Sequence, residues 1–217
     1  MNTSISDRLN RIQPSATSAI TDRARQLRDM GQDVISLSQG EPDFETPEHI
    51  KAAAEQAMRD GHTRYTAVDG IPELKQAVCR KFKSENDIDY QPSEITVSSG
   101  CKQLLFNALM ATLNRGDEVI IPAPYWVSYS AMVEIADGRP IIIPCAAEQQ
   151  FKLTPDKLES AVTSATRWLI LNSPSNPTGA VYTRSELLAL AEVLLQHPEI
   201  LVITDDIYEH LIYGDVE

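Results

Sequence analysis

The sequence of 217 residues has little of what marks several large protein classes. It holds only three cysteines, Cys79, Cys101 and Cys145, widely spaced and without a C-x-x-C pair, so they read as reduced thiols rather than a disulfide framework. Its four histidines, His49, His62, His197 and His210, show no H-x-x-x-H spacing, and no metal site is expected. Basic residues are outnumbered, 19 Lys and Arg against 31 Asp and Glu, for a net charge of −12. Such a surface repels phosphate backbones and anionic lipid, so neither nucleic acid nor a membrane surface is an expected partner. Apolar runs such as Val119-Ile120-Ile121 and Ile141-Ile142-Ile143 fall far short of the ~20 residues of a membrane-spanning helix. Met1-Asn2-Thr3-Ser4 lacks a basic flank leading into an apolar stretch, so no secretory signal is visible and a cytoplasmic location is expected.

What is present is the composition of a folded protein: 42% hydrophobic residues, 23% charged, and 13 prolines scattered along the chain. A polar segment over 16–30 closed by Gly31 predicts a first helix, and Val34, Ile35 and Leu37 predict a short strand over 33–38. Gly40-Glu41-Pro42-Asp43-Phe44 reads as a loop, because Pro42 drives its predecessor away from the helical region. Helices follow over 47–60, with Thr46 as N-cap and Pro47 in the first position, and over 72–85. Then comes a regular alternation. Strands are predicted over 95–97, 118–121, 139–143, 168–172 and 200–204, and helices over 102–113, 128–136, 155–164 and 184–196. Short, nearly all-apolar strands separated by helices indicate an α/β fold: a mostly parallel sheet with helices on both faces. An arm-like segment precedes it, with a break near residue 48.

In open α/β sheets ligands sit at the carboxyl ends of the strands, and four such junctions carry chemistry. Ser99-Gly100-Cys101 opens a helix and presents either free N–H groups suited to a phosphate or an ordinary helix cap. It does not match G-x-x-x-x-G-K-[ST], which excludes a nucleotide P-loop. Pro122-Ala123-Pro124-Tyr125-Trp126 places aromatics where they can stack on a flat heterocycle or fill the core. Asn172-Ser173-Pro174-Ser175-Asn176-Pro177-Thr178-Gly179 holds an asparagine between prolines, as a preorganised hydrogen-bonding group or a plain turn. Asp205, with Tyr208 three residues on, is either a partner for a protonated ring nitrogen or a solvated acidic strand end.

Taken together, and with Gly40-Glu41-Pro42-Asp43-Phe44, Tyr65, Gly70-Ile71-Pro72-Glu73-Leu74 and Asp205-Asp206-Ile207-Tyr208-Glu209-His210-Leu211, these segments resemble the class I (fold-type I) pyridoxal-phosphate aminotransferases. The closest resemblance is to the bacterial aspartate aminotransferases. The resemblance implies pyridoxal 5'-phosphate as cofactor and amino acids and 2-oxo acids as substrates, most specifically L-aspartate with 2-oxoglutarate. It implies that Ser99, Gly100 and Cys101 face the cofactor phosphate, where many relatives carry a small residue in place of Cys101. Trp126 stacks on the pyridine ring, Asn176 bonds the 3-hydroxyl and approaches the substrate carboxylate, Tyr208 donates to the same 3-oxygen, and Asp205 pairs with the ring nitrogen. Gly40 offers its N–H to the substrate carboxylate, and Tyr65 reaches the partner's cofactor in a homodimer. Residues 1–48 then correspond to the arm and the start of the small domain, and 49–217 to the N-terminal part of the large domain.

The sequence also departs from that family. The family's Schiff-base lysine lies downstream of the Asp and Tyr, whereas the last lysine here is Lys157; later arginines that grip phosphate and carboxylate are also missing. The chain reads as the N-terminal part of the enzyme, unable to transaminate alone. Lys102 lies in the phosphate neighbourhood, not at the position of the covalent lysine. An aromatic-preferring aminotransferase, a carbon–sulfur lyase on the same scaffold and a non-catalytic cofactor-binding piece remain open. A nicotinamide-dependent dehydrogenase is disfavoured by the lack of G-x-G-x-x-G after the first strand.

Overall fold

The computed structural model describes residues 5–38, 40 and 44–214, which form two compact units, one of residues 14–105 and the other of residues up to 13 together with 106 onward. The larger unit is built on four parallel strands: β1 (Glu118–Ala123), β2 (Arg139–Pro144), β3 (Thr166–Asn172) and β4 (Leu201–Asp205). Their spatial order is β2-β1-β3-β4. Three helices connect them: α5 (Ser128–Ile135), α6 (Pro155–Ala161) and α7 (Arg184–Leu194).

Strand order and the right-handed crossover rule place these helices. The chain leaves β1 in one direction to reach β2, then crosses back over β1 to β3 and continues the same way to β4. Right-handed connections running in opposite directions put α5 on one face of the sheet and α6 with α7 on the other. Accordingly α6 packs on α7, and a core of Ile120, Leu158, Leu169, Leu171, Leu190 and Val193 fills that side. Period-two alternation turns Val119, Ile121 and Ile170 to the opposite face, where Tyr129, Met132 and Val133 of α5 are also buried. The connections diverge between β1 and β3, so the crevice of this topology opens at the carboxyl ends of those strands.

At the other end of the sheet, Glu118 is almost fully buried, where a lone carboxylate would be costly. It is paired with Arg139 of β2 and accepts a hydrogen bond from Thr163 Oγ1 at 2.7 Å, which ties the start of three strands together.

The unit of residues 14–105 holds α1 (Ala16–Asp29), α2 (Glu48–Arg59), α3 (Pro72–Asn86) and the first residues of α4 (Cys101–Thr112), a helix within which the division falls. Two expected strands are absent here. Residues 33–38 run without a strand partner among the described residues: Ile35 and Leu37 are 86% and 94% exposed, while Val34, Ser36 and Ser38 on the alternate side are half-buried. Residues 95–97 are also outside the sheet: the Val97 N–H donates to the Asp69 carbonyl at 3.0 Å, a loop contact in place of a ladder. The cap expected at Thr46 shifts as well. α2 begins at Glu48 with Pro47 in the capping position, whose carbonyl accepts from Lys51 N at 3.2 Å, and no side chain caps it.

Gly70 explains a local requirement. Its φ of +106° suits glycine, and a Cβ there would meet Val97 Cγ2 at 2.7 Å. Beside it, buried Lys75 pairs with Asp69, and that hydrogen bond holds the Asp69 carboxyl below its ordinary value.

Candidate active site

β1, β3 and β4 deliver their last residues to one end of the sheet, and the polar groups there are wired together. Asp205, the final residue of β4, is buried, and its Oδ2 accepts a hydrogen bond of 2.6 Å from the Tyr129 hydroxyl of α5. Oδ1 receives the Ile207 N–H at 3.4 Å. A carboxylate offers about four lone-pair directions, so this one can still accept from a further N–H donor. Asn172, the final residue of β3 and the register partner of Asp205, donates from Nδ2 to the Asp205 carbonyl at 2.7 Å. Its Oδ1 accepts the Asn176 N–H at 2.7 Å.

The loop bearing Asn176 is braced internally. Gly179 N donates to the Ser175 carbonyl at 2.8 Å and Ser175 N to the Ala180 carbonyl at 3.0 Å. Tyr182, at the far end of the loop, donates its N–H to Ser173 Oγ at 3.2 Å and is itself buried. Its hydroxyl accepts the Leu153 N–H at 2.7 Å, and burial pushes its pKa up to about 12, so it stays a neutral packing group.

Trp126 lies half-buried in the turn between β1 and α5, edge-on to Tyr129, with ring centroids 5.4 Å apart and planes at 87°. Tyr208, also half-buried, sits in the turn after β4, where its carbonyl accepts the Leu211 N–H at 2.8 Å. Trp126, Asn176, Asp205 and Tyr208 are therefore all carried by one unit, at the carboxyl end of its sheet or in the turns that follow. A depression of about 370 Å³ between the ends of β1 and β3 is lined by Ile121, Pro124, Tyr125, Tyr129, Asn172 and Tyr182, among others. None of the four expected residues lines it, though Tyr129 and Asn172 of the polar cluster do, so it adjoins that cluster without containing Asp205.

The remaining expected residues belong to the other unit. Gly100, with φ of +95°, sits just before α4, and Ser98 Oγ donates to its carbonyl at 2.8 Å. The Ser99 N–H donates to Gln103 Oε1 at 3.1 Å, so the helix caps itself at that donor. Cys101 is exposed at the first position of α4. Tyr65 is fully exposed in the loop before Gly70. Gly40 is exposed, while Glu41-Pro42-Asp43 of the same motif lies outside the described residues.

Two residues of the polar cluster, Tyr129 and Asn172, had no assigned role in the sequence reading, although both stand in motif segments. Their bonds span 76 and 33 residues of sequence, and only the register of β3 against β4 and the seating of α5 create them. The available signal was positional: Asn172 ends an apolar strand, and Tyr129 follows Trp126 by three residues, a separation that brings side chains together in a turn entering a helix.

Comparison with known proteins identifies the family and the fold. The family described as aminotransferase class I and II matches residues 32–217. An aspartate/prephenate aminotransferase of Cereibacter sphaeroides is 58% identical over 213 residues, 98% of this chain and 53% of that protein. Among solved structures, the aspartate aminotransferase of Rhizobium meliloti superposes with a TM-score of 0.94 at 51% identity, covering 98% of this chain and 53% of that one. The aspartate aminotransferase of Thermus thermophilus with maleate gives 0.95 at 44% identity, covering 99% and 56%. The chain spans about half the length of the curated relatives it matches.

Proposed function

This chain belongs to the class I and II aminotransferase family, and from that premise we propose that it forms part of a pyridoxal-phosphate-dependent transaminase acting on L-aspartate with 2-oxoglutarate. The observation that carries this reading is the buried Asp205 carboxylate, held by Tyr129 at the carboxyl end of the sheet with acceptor capacity to spare. That donor set fits a pyridine ring: an anionic acceptor for a ring N–H, an amide-bearing loop at Asn176, an aromatic at Trp126 and a phenol at Tyr208. When bound, pyridoxal phosphate supplies an electron sink for the substrate α-carbon.

The residues of the chain do the holding. The buried Asp205 carboxylate would accept from the ring nitrogen, and that charge-assisted bond would keep the nitrogen protonated. Trp126 would cover the ring face, Asn176 and Tyr208 would donate to the 3-oxygen, and Asn176 would approach the substrate carboxylate, to which the family pattern also assigns the Gly40 N–H. Ser99, Gly100 and Cys101 would face the phosphate at the start of α4, aided by the helix dipole, with the Ser99 and Gly100 N–H groups exchanging their present bonds to Gln103 Oε1 and the Ser98 carbonyl for it. Tyr65, exposed on its loop, reaches the site of a second copy in a homodimer. The relative from Cereibacter sphaeroides is named for prephenate as well as aspartate. That supports prephenate as a second amino acceptor.

The covalent lysine of the family has no counterpart after Asp205 here, since the last lysine is Lys157. In a parent protein of the relatives' length, Asp205→Ala should lower kcat by about 10²–10³-fold, the cost of removing an electrostatic group aimed at developing charge. Steady-state assay with aspartate, an aromatic amino acid and a thioether amino acid checks both site and substrate. Unchanged turnover in the variant, or a preference for the aromatic amino acid, defeats the corresponding part of the reading.

A further inference from the structure

Asn172 joins the two segments assigned to the ring nitrogen and to the 3-oxygen of the cofactor. Its side chain reaches across to β4, where Nδ2 donates to the Asp205 carbonyl, and into the following loop, where Oδ1 accepts from the Asn176 N–H, both at 2.7 Å. A backbone carbonyl only accepts and a backbone N–H only donates, so a single orientation of the amide satisfies both. Neither Asp nor Leu, though close in shape, could do the same.

The backbone of Asp205 and the backbone of Asn176 are thus tied to one half-buried amide at the end of β3. The tie does not touch the Asp205 carboxylate, which Tyr129 holds independently, but it fixes the main chain that the carboxylate projects from. Without it, the Asp205 carbonyl loses its side-chain tie to β3, and Asn176 is held only through the turns of its loop and the Tyr182 N–H on Ser173. We propose that Asn172 is a positioning residue that sets the span between Asp205 and Asn176, and so the fit of the site to a protonated pyridine ring. The proposal rests on the aminotransferase reading above and assigns no chemical step to Asn172.

Two substitutions separate positioning from mere structural support. Asn172→Asp keeps the acceptor for Asn176 N–H but sets an oxygen against the Asp205 carbonyl; Asn172→Ala removes both bonds. In the parent holoprotein we would measure the dissociation constant of pyridoxal phosphate and the pH midpoint of the visible absorbance of the bound cofactor. Loss of one or two hydrogen bonds at a preorganised site should weaken cofactor binding about fivefold or more in both variants. The absorbance midpoint should also move, whereas a purely structural residue would lower the melting temperature of the apoprotein and leave that midpoint where it was. If either variant is too unstable to purify, Asn172→Ser, too short to reach both partners, carries the same two readouts. Cofactor affinity within twofold of the wild type, with an unmoved midpoint, overturns the proposal while the aminotransferase reading stands. A wild-type protein that binds no pyridoxal phosphate overturns both.

Discussion

Tyr129 and Cys101 show how much one atom decides at this site. The Tyr129 hydroxyl of α5 donates to the Asp205 carboxylate, and at 2.6 Å it is a short, charge-assisted contact in a buried setting. Tyr129→Phe keeps the ring against Trp126 and removes that donor, leaving a buried carboxylate under-satisfied. The expected loss is about 1.5–3 kcal/mol of stability, read by chemical denaturation of the parent protein, with a weaker hold on pyridoxal phosphate alongside it. Cys101 is exposed at the start of α4, while Cys145 is buried and its thiol is pushed up in pKa by that burial. An alkylating reagent at pH 8 should therefore modify Cys101 well before Cys145, and bound pyridoxal phosphate should slow the reaction at Cys101 if the phosphate lies there. Mass mapping of the modified cysteines, with and without cofactor, reads both outcomes; equal rates at Cys101 in the two conditions would remove it from the phosphate site.

At the level of elements, caps and close approaches matter more than propensity. α7 starts with a capping box in which Thr183 Oγ1 accepts the Glu186 N–H and Glu186 accepts the Thr183 N–H at 2.7 Å, while Lys152 Nζ pairs with both Glu186 oxygens. Burial alone would raise the Glu186 carboxyl, but the Lys152 and Thr183 hydrogen bonds outweigh it and hold it below its ordinary value of 4.5. A depressed carboxyl contributes stability above its unfolded-state value and loses it as the pH falls through the folded one. The stability gap between wild type and Glu186→Gln should thus be present at pH 6 and shrink below about pH 4.5, as denaturation midpoints across that range would show. The four strands of the sheet were legible in the sequence because each is a short apolar run between helices, and Asp205 and Asn176 were legible because they follow such runs. The segments 33–38 and 95–97 are not strands because pairing is not written in local periodicity: Ile95 is buried without a partner strand, while Ile35 and Leu37 stay exposed. Gly70 was legible as part of a motif, but its need for a bare α-carbon against Val97 emerges only from the fold. Gly70→Ala should cost about 1–3 kcal/mol through the forced φ and the clash, measurable by the same denaturation assay.

For the whole molecule, no described helix is long and apolar enough to cross a membrane, and the acidic balance of −12 disfavours nucleic-acid backbones and anionic lipid surfaces. Its sheet, however, ends in strands that are only partly covered. Leu201 and Val202 of β4 are 38% and 40% exposed, and Ile207, Leu211 and Tyr213 beyond them are more exposed still. Apolar surface of this kind at a sheet edge invites association with another chain or with further sequence of the same one. Of the polar cluster, Asp205 alone lies on this edge strand, at its carboxyl end, so a chain that covers β4 along its length would also approach Asp205. From this we expect the 217-residue chain by itself to bind pyridoxal phosphate weakly and to form no covalent link to it. The parent protein should carry one cofactor per chain that borohydride fixes in place. Intact mass spectrometry after reduction decides between them: an unmodified 24.1 kDa chain fits the expectation, whereas an adduct on that chain would point to a lysine already present, with Lys102 the first to examine because it lies beside Cys101 at the start of α4.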